Sequence, residues 1–240
     1  FQVQVLTLSD HKMKHLLFLT LIMFCTVTIK AQNTFFPTKE GTVLIYKSFD
    51  KKDKLLSEVK YTIKKVNISG NDLDITYHCE SLDNKEKLVF EEDITIHQSR
   101  DMLYLDMGNF INKAVFQQDG EIPAEVEVKG NNMQIPLNPQ PGQSLPDAGI
   151  EMSMKMGFVN MRVAAEITNR KVESIEDVTV AAGNFNCYKF TGNINSVALG
   201  IKVKASSAEW YAKGIGTIKT ESYDKNGKLE SHMELVSIGN

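Results

Sequence analysis

The chain has 240 residues, 42% of them hydrophobic and 24% charged, an ordinary globular composition with enough apolar material for one sizeable core. Its formal net charge is −3, and no Lys/Arg-rich block carries interleaved aromatics. Both facts argue against a nucleic-acid binder that works by neutralising phosphates.

The N-terminal stretch reads as a targeting segment. From Met13 the chain runs Met-Lys-His, then stays uncharged from Leu16 to Ile29, then reaches Lys30, Ala31 and Gln32. A short basic start, an apolar run and a small residue make a secretory signal peptide. The run is short for a membrane span. Cleavage is expected after Ala31 or Gln32, with residues 1–12 as an upstream extension. Residues 1–32 are then extension plus cleaved signal peptide, and 33–240 form a single all-β domain with no transmembrane span. Cleavage would leave 24 basic and 29 acidic residues, a mature net charge of −5. Lipid attachment at Cys25 is the lesser expectation, because Ile22, Met23 and Phe24 rather than small residues precede it.

Phe35, Phe36 and Pro37 lead into a strand over 41–48, with Val43 and Ile45 on one face. Val59, Tyr61 and Ile63 alternate with Lys60, Thr62 and Lys64, the period of a half-buried strand. Leu73, Ile75, Tyr77 and Cys79 do the same after a turn at Gly70, and 88–98 follows as the next strand. Residues 100–107 read as a further strand. Phe110, Ile111, Ala114 and Val115 fit helical spacing and predict one short helix over 109–118. Val126 and Val128 run into Gly130, Asn131 and Asn132, which predict a tight turn with Met133 and Ile135 on the return. Four of the six prolines then fall in residues 136–146, an extended surface connection.

From Ile150 the pattern becomes methionine-rich. Met152, Met154, Met156 and Phe158 share a face, and the apolar set changes phase after Gly157, which predicts a bulge or tight hairpin there. Later alternations at Val197, Leu199, Ile201 and Val203, and over 217–223 and 229–238, complete an all-β reading.

One frame recurs. Residues 48–55, 81–88 and 222–229 all fit Ser-x-Asp-x-x-x-Lys-Leu. In the last copy Asn226 and Gly227 tolerate the positive φ that mirror-image hairpin turns require. The irregular spacing excludes a propeller or solenoid. The plain interpretation is recurring turn chemistry; a shared ligand or partner surface made by the three tips is the alternative.

Several stretches of the second half resemble a known family. They are Asn169 to Val172, the run from Val178 through Gly183 to Cys187 and Tyr188, then Trp210, Tyr211, Lys213, Gly214 and Gly216, and the turn from Tyr223 to Leu229. The segment from Gly142 to Asp147 fits as well. Together they look like the TapB-like family of secreted or periplasmic β-rich proteins of unknown function. The resemblance implies a strongly curved antiparallel sheet closing into an open or partial β-barrel, similar in outline to lipoprotein carriers. It implies no activity.

No residue pattern carries a recognisable chemistry. There is no Gly-x-Ser-x-Gly, His-Glu-x-x-His, phosphate loop or Cys-x-x-Cys. The pair Gly214 and Gly216 reads as a place of close backbone approach. Cys79 and Cys187 remain after processing, either as free buried thiols or as a disulfide that export would permit. Glu91, Glu92 and Asp93 lie along one strand and point to alternate faces, so they read as a solvated edge. The expectation is therefore a non-enzymatic exported protein without cofactor or metal, periplasmic or secreted, with outer-membrane association as a further expectation. It would bind an apolar small molecule or lipid at Met152, Met154, Met156 and Phe158. A second reading is a structural or assembly module of the envelope that contacts a protein partner. A third is a hydrolase using His78, His97 and nearby carboxylates.

Overall fold

A computed structural model describes residues 34–110, 127–156, 159–198 and 200–239. The signal-peptide reading, and all but the start of the expected helix over 109–118, lie outside the described residues. What is described there is a 3-10 turn, Met107–Phe110.

Alternation with period two makes nearly every element a strand. In chain order they are β1 Val43–Asp50, β2 Leu55–Ser69, β3 Asp72–Asp83, β4 Leu88–Ser99, β5 Met102–Leu105, β6 Glu127–Gly130 and β7 Met133–Pro136. They continue as β8 Ala148–Met156, β9 Val159–Val180, β10 Gly183–Ala198, β11 Ile201–Ala212, β12 Gly216–Asp224 and β13 Leu229–Gly239. All pair antiparallel in one sheet, ordered β6-β8-β9-β10-β11-β12-β13-β1-β2-β3-β4-β5-β7. The sheet is not closed, as expected for an open or partial barrel.

The two edges of this sheet are successive in the chain. Only Asn131 and Asn132 separate β6 from β7, and three steps of about 3.8 Å bring the edges within reach of each other. The sequence predicted a hairpin here, and the structure places the seam of the barrel instead. Neither Asn has positive φ, which a two-residue mirror-image turn needs. Asn131 spends its groups on the β8 side. Its N–H donates to Gly149 O at 2.9 Å, its Oδ1 accepts from Gly149 N at 2.7 Å, and its Nδ2 donates to Asp147 O at 3.1 Å. Gly130 fits because a Cβ would stand 2.4 Å from Gly149 O. Arg170 of β9 spans the seam from within. It is 6% exposed and donates to Pro146 O at 2.8 Å and to Gln134 O of β7 at 3.0 Å.

Two cores result. The larger fills the barrel and includes Phe35, Ile63, Leu73, Leu103, Ile135, Val172 and Tyr211. The smaller forms where the far half of the β9–β10 hairpin packs over β11–β13. It holds Val180, Cys187, Trp210, Ile218 and Leu235, and Ala182 N reaches Leu235 O at 3.4 Å.

The three repeats are one structural unit. Asp50 Oδ1 accepts from the N–H groups of Lys52 and Lys54 at 2.8 and 3.0 Å. Asp83 does the same with Lys85 and Lys87, and Asp224 with Asn226 and Lys228, all within 2.8–3.0 Å. Asp53, Glu86 and Gly227 occupy the same position and take φ of 59°, 63° and 76°. Asn226 does not take positive φ, so its pair with Gly227 is not a mirror-image turn. Each turn follows a register shift at Ser48/Phe49, Ser81/Leu82 or Ser222/Tyr223. That is a four-residue turn closed by one left-handed residue beside a bulge.

Candidate functional site

Inside the barrel lies a cavity of about 300 Å³. That is the lower end of the range for small-molecule sites. β1, β2 and β3 bring Tyr46, Tyr61 and Tyr77 to it by simple alternation. Ile94, Ile96 and Leu105 come from β4 and β5, and Glu209, Tyr211, Thr217, Thr220 and Met233 from the facing wall. Phe36 closes one end, its ring 6.0 Å from that of Tyr77 and 6.4 Å from that of Tyr211. Gly216 makes room for it: a Cβ there would be 2.9 Å from Phe36 Cδ1. The close approach expected near Gly214 and Gly216 is therefore of backbone to an aromatic ring.

Register defines the other end. Glu209, Thr220 and Met233 pair in succession, and Met233 pairs with Ser48. The next row along the strands is Ser207, Ser222 and Ser231, also paired in succession. Ile94, Thr220 and Met233 are half-buried, whereas Phe36, Leu44 and Tyr46 are buried. The cavity is thus closed at the Phe36 end and passes to small polar side chains at the end that carries the three repeated turns.

Its polar groups are few and unequal. Tyr46 Oη donates to Thr217 O at 2.9 Å. Tyr211 Oη donates to Glu209 Oε2 at 2.8 Å. The Tyr77 hydroxyl is buried and has no hydrogen-bond partner. Burial among apolar neighbours pushes the Tyr46, Tyr61 and Tyr77 hydroxyls well above the usual phenol range, so all three are neutral donors. Burial likewise raises the Glu209 carboxyl, against the Tyr211 hydrogen bond and the Arg170 charge, which both lower it. Glu209 is half-buried and lines the cavity.

The methionine face occupies a different place. Met152 and Met154 are 4% and 6% exposed and packed in the larger core. They do not border the cavity. Met is unbranched and fills irregular gaps, which is the role these two have. The Met156 side chain and Phe158 lie outside the described residues. Cys79 and Cys187 are both free and buried, so the disulfide alternative is not realised.

His78 and His97 sit on the outer face of β3 and β4. His78 Nδ1 is 2.8 Å from Asp93 Oδ1, and His97 Nδ1 is 2.6 Å from Asp74 Oδ1. Each is a cross-strand pair on an exposed surface, with Thr76 and Thr95 hydrogen-bonded between them at 3.1 Å. Asp93 also pairs with Lys64 at 2.7 Å. Neither lines the barrel cavity, and no cluster of His, Cys, Asp and Glu among the described residues could hold a metal ion. No described helix is long and apolar enough to cross a membrane.

The cavity-lined, incompletely closed antiparallel barrel defines a class of β-rich proteins. The chain belongs to the DUF3108-like family, which matches residues 39–235. The sequence resemblance to a β-rich family of unknown function holds at this level, and the TapB-like designation is not what matches. No curated protein matches the chain. Two crystal structures share the fold. One is a Bacteroides fragilis protein provisionally named as exported, with a YmcC-like fold. It is 21% identical, with a TM-score of 0.71, covering 86% of this chain and 99% of its own. The other is a Parabacteroides distasonis protein provisionally named as a lipoprotein. It is 24% identical, with a TM-score of 0.70, covering 86% and 98%.

Proposed function

We propose that this protein is an exported, non-enzymatic binding protein that holds an apolar small molecule or lipid chain within its barrel. The observation that carries the reading is the 300 Å³ cavity, with apolar and tyrosine walls and the unpartnered Tyr77 hydroxyl. A buried hydroxyl without a partner is costly, and a ligand acceptor would satisfy it. The apolar segment over 16–29 and the names of the two fold relatives support export to the periplasm or beyond, including association with the outer membrane. The site lies at Tyr46, Tyr61, Tyr77 and Glu209 rather than on the methionine strand.

The test is titration with the neutral fluorophore N-phenyl-1-naphthylamine. Saturable enhancement is expected, and it should be lost in Thr220→Trp, which fills the cavity from the sheet wall. Tyr77→Phe should fold normally and change affinity for acceptor-bearing ligands. Enhancement that never saturates, or that survives Thr220→Trp unchanged, overturns the reading. Mass spectrometry of protein purified from its native host should also find a bound apolar compound.

A further inference from the structure

The end of the barrel that carries the repeated turns combines exposed lysines with exposed apolar side chains among the described residues. Antiparallel order puts the β1–β2, β3–β4, β12–β13 and β10–β11 turns on one rim, and they are contiguous along the sheet. Lysines crowd these turns: Lys51, Lys52 and Lys54 in the first, Lys85 and Lys87 in the second, Lys225 and Lys228 in the third, with Lys202 and Lys204 beside the fourth. The seven lysines of the three repeated turns face five carboxylates, Asp50, Asp53, Asp83, Glu86 and Asp224, so these turns are net positive on a chain of net charge −3, while Lys202 and Lys204 are offset by Glu230 and Glu91 at the matching positions of β13 and β4. Three of the five are turned inward onto their own backbone N–H groups, as described above. The lysines are all exposed.

Apolar exposure concentrates on the same rim. Ten large hydrophobic side chains are exposed among the described residues. Six of them, Leu56, Leu88, Val89, Phe90, Ile201 and Val203, stand at strand starts directly after these turns. Ile201 is 70% exposed and Val89 59%. Exposed apolar groups interleaved with lysines fit the headgroup region of an anionic bilayer: the apolar groups enter the boundary and the lysines meet phosphates.

We propose that this rim docks the protein on an anionic lipid bilayer, with the mouth of the barrel facing the membrane. The orientation follows from the rows already described: rim, then Ser207, Ser222 and Ser231, then Glu209, Thr220 and Met233 at the cavity. The described chain enters at the other end, where Gly214 N donates to Thr34 O at 3.0 Å. The membrane-facing direction deepens the binding reading, since it gives an apolar ligand a dry route; the docking itself stands on the rim alone.

Flotation with lipid vesicles tests it on the full chain. The protein should float with phosphatidylglycerol-containing vesicles, not with pure phosphatidylcholine, and should be released by high salt. Each lysine at an anionic surface contributes about a factor of five in affinity. The exposed triple variant Lys52→Gln, Lys85→Gln, Lys225→Gln should then lose roughly a hundredfold. Ile201→Ser should weaken binding without changing its salt dependence. Equal binding by wild type and triple variant overturns the proposal, as does equal binding to both vesicle types or to neither. Naphthylamine titration in the triple variant should be unchanged, so failure at the rim and failure at the cavity are told apart.

Discussion

Arg170 is the side chain that bridges the seam between the two edges of the sheet. Its guanidinium is buried and joins the carbonyls of Pro146 and Gln134, which lie on opposite sides of the seam. Burial pulls its pKa down, while Glu209, Tyr211 and Asp147 act the other way. In Arg170→Met both carbonyls lose a charged donor. Bonds to a charged donor contribute about 1.5–3 kcal/mol each, and relief of the buried charge offsets part of the loss. The expected net cost is about 2–4 kcal/mol. At about 2–4 °C per kcal/mol for a domain of this size, the Tm should fall by roughly 5–15 °C. Arg170→Lys should recover little, because an ammonium cannot present the planar fork that reaches both oxygens. Urea titration gives the free energy, and amide exchange locates it: protection should drop first at Met133–Pro136. A variant within roughly 0.5 kcal/mol of wild type, or an even loss of protection across the sheet, would refute the clasp.

Three further outcomes follow from titratable groups. The Asp50, Asp83 and Asp224 carboxyls are held below the usual range by backbone N–H groups, chiefly those of Lys54, Lys87 and Lys228. Their contribution is complete above about pH 4 and is lost as pH falls through the lowered values, so the triple Asp→Asn variant should show a shallower acid limb in Tm against pH. Glu209 works in the opposite sense. Burial raises its pKa, so stability should decline as pH rises from about 4 toward the folded value and level off above it, and Glu209→Gln should abolish that decline. Burial pushes Cys187 up to about 11 and also raises Cys79. Both should resist alkylation at pH 8 in the native state and react fully in denaturant, as read by peptide mapping; a cysteine still blocked in denaturant without reductant would restore the disulfide.

Most of the architecture was legible because it is written in period two. Leu73, Ile75, Tyr77 and Cys79 alternate with polar residues, and all four are inward and buried. The seam was not legible. Gly130, Asn131 and Asn132 carry the composition of a turn, and only the long-range pairing of Asn131 with Gly149 converts them into a crossing from edge to edge. The cavity was hidden for another reason. Tyr46, Tyr61 and Tyr77 come from three strands and Glu209 from a fourth, and each fits its own alternation without remark. The one local signal was a tyrosine, with a hydroxyl to satisfy, on an otherwise apolar strand face. Met152 and Met154 share one face of one strand, a pattern that a core needs as much as a pocket does.

The repeated turn gains meaning from where the topology puts it. Its local chemistry is complete in itself: an Asp carboxylate takes two N–H groups, a left-handed residue closes the loop, and a bulge precedes it. Such chemistry would serve a turn at either end of the sheet. The turns at the opposite end are built otherwise, with Gly70 and Asn71 after β2, Arg100 and Asp101 after β4, Ala181 and Ala182 after β9, and Lys213, Gly214 and Ile215 after β11. None of these four carries the Asp cap, and Lys213 is the one lysine among them. The Asp-capped form is thus confined to the rim that also holds most of the exposed apolar side chains and the serine-lined approach to the cavity. Turn stability alone has no reason to choose an end, whereas a surface that must meet anionic lipid at the mouth of the barrel does.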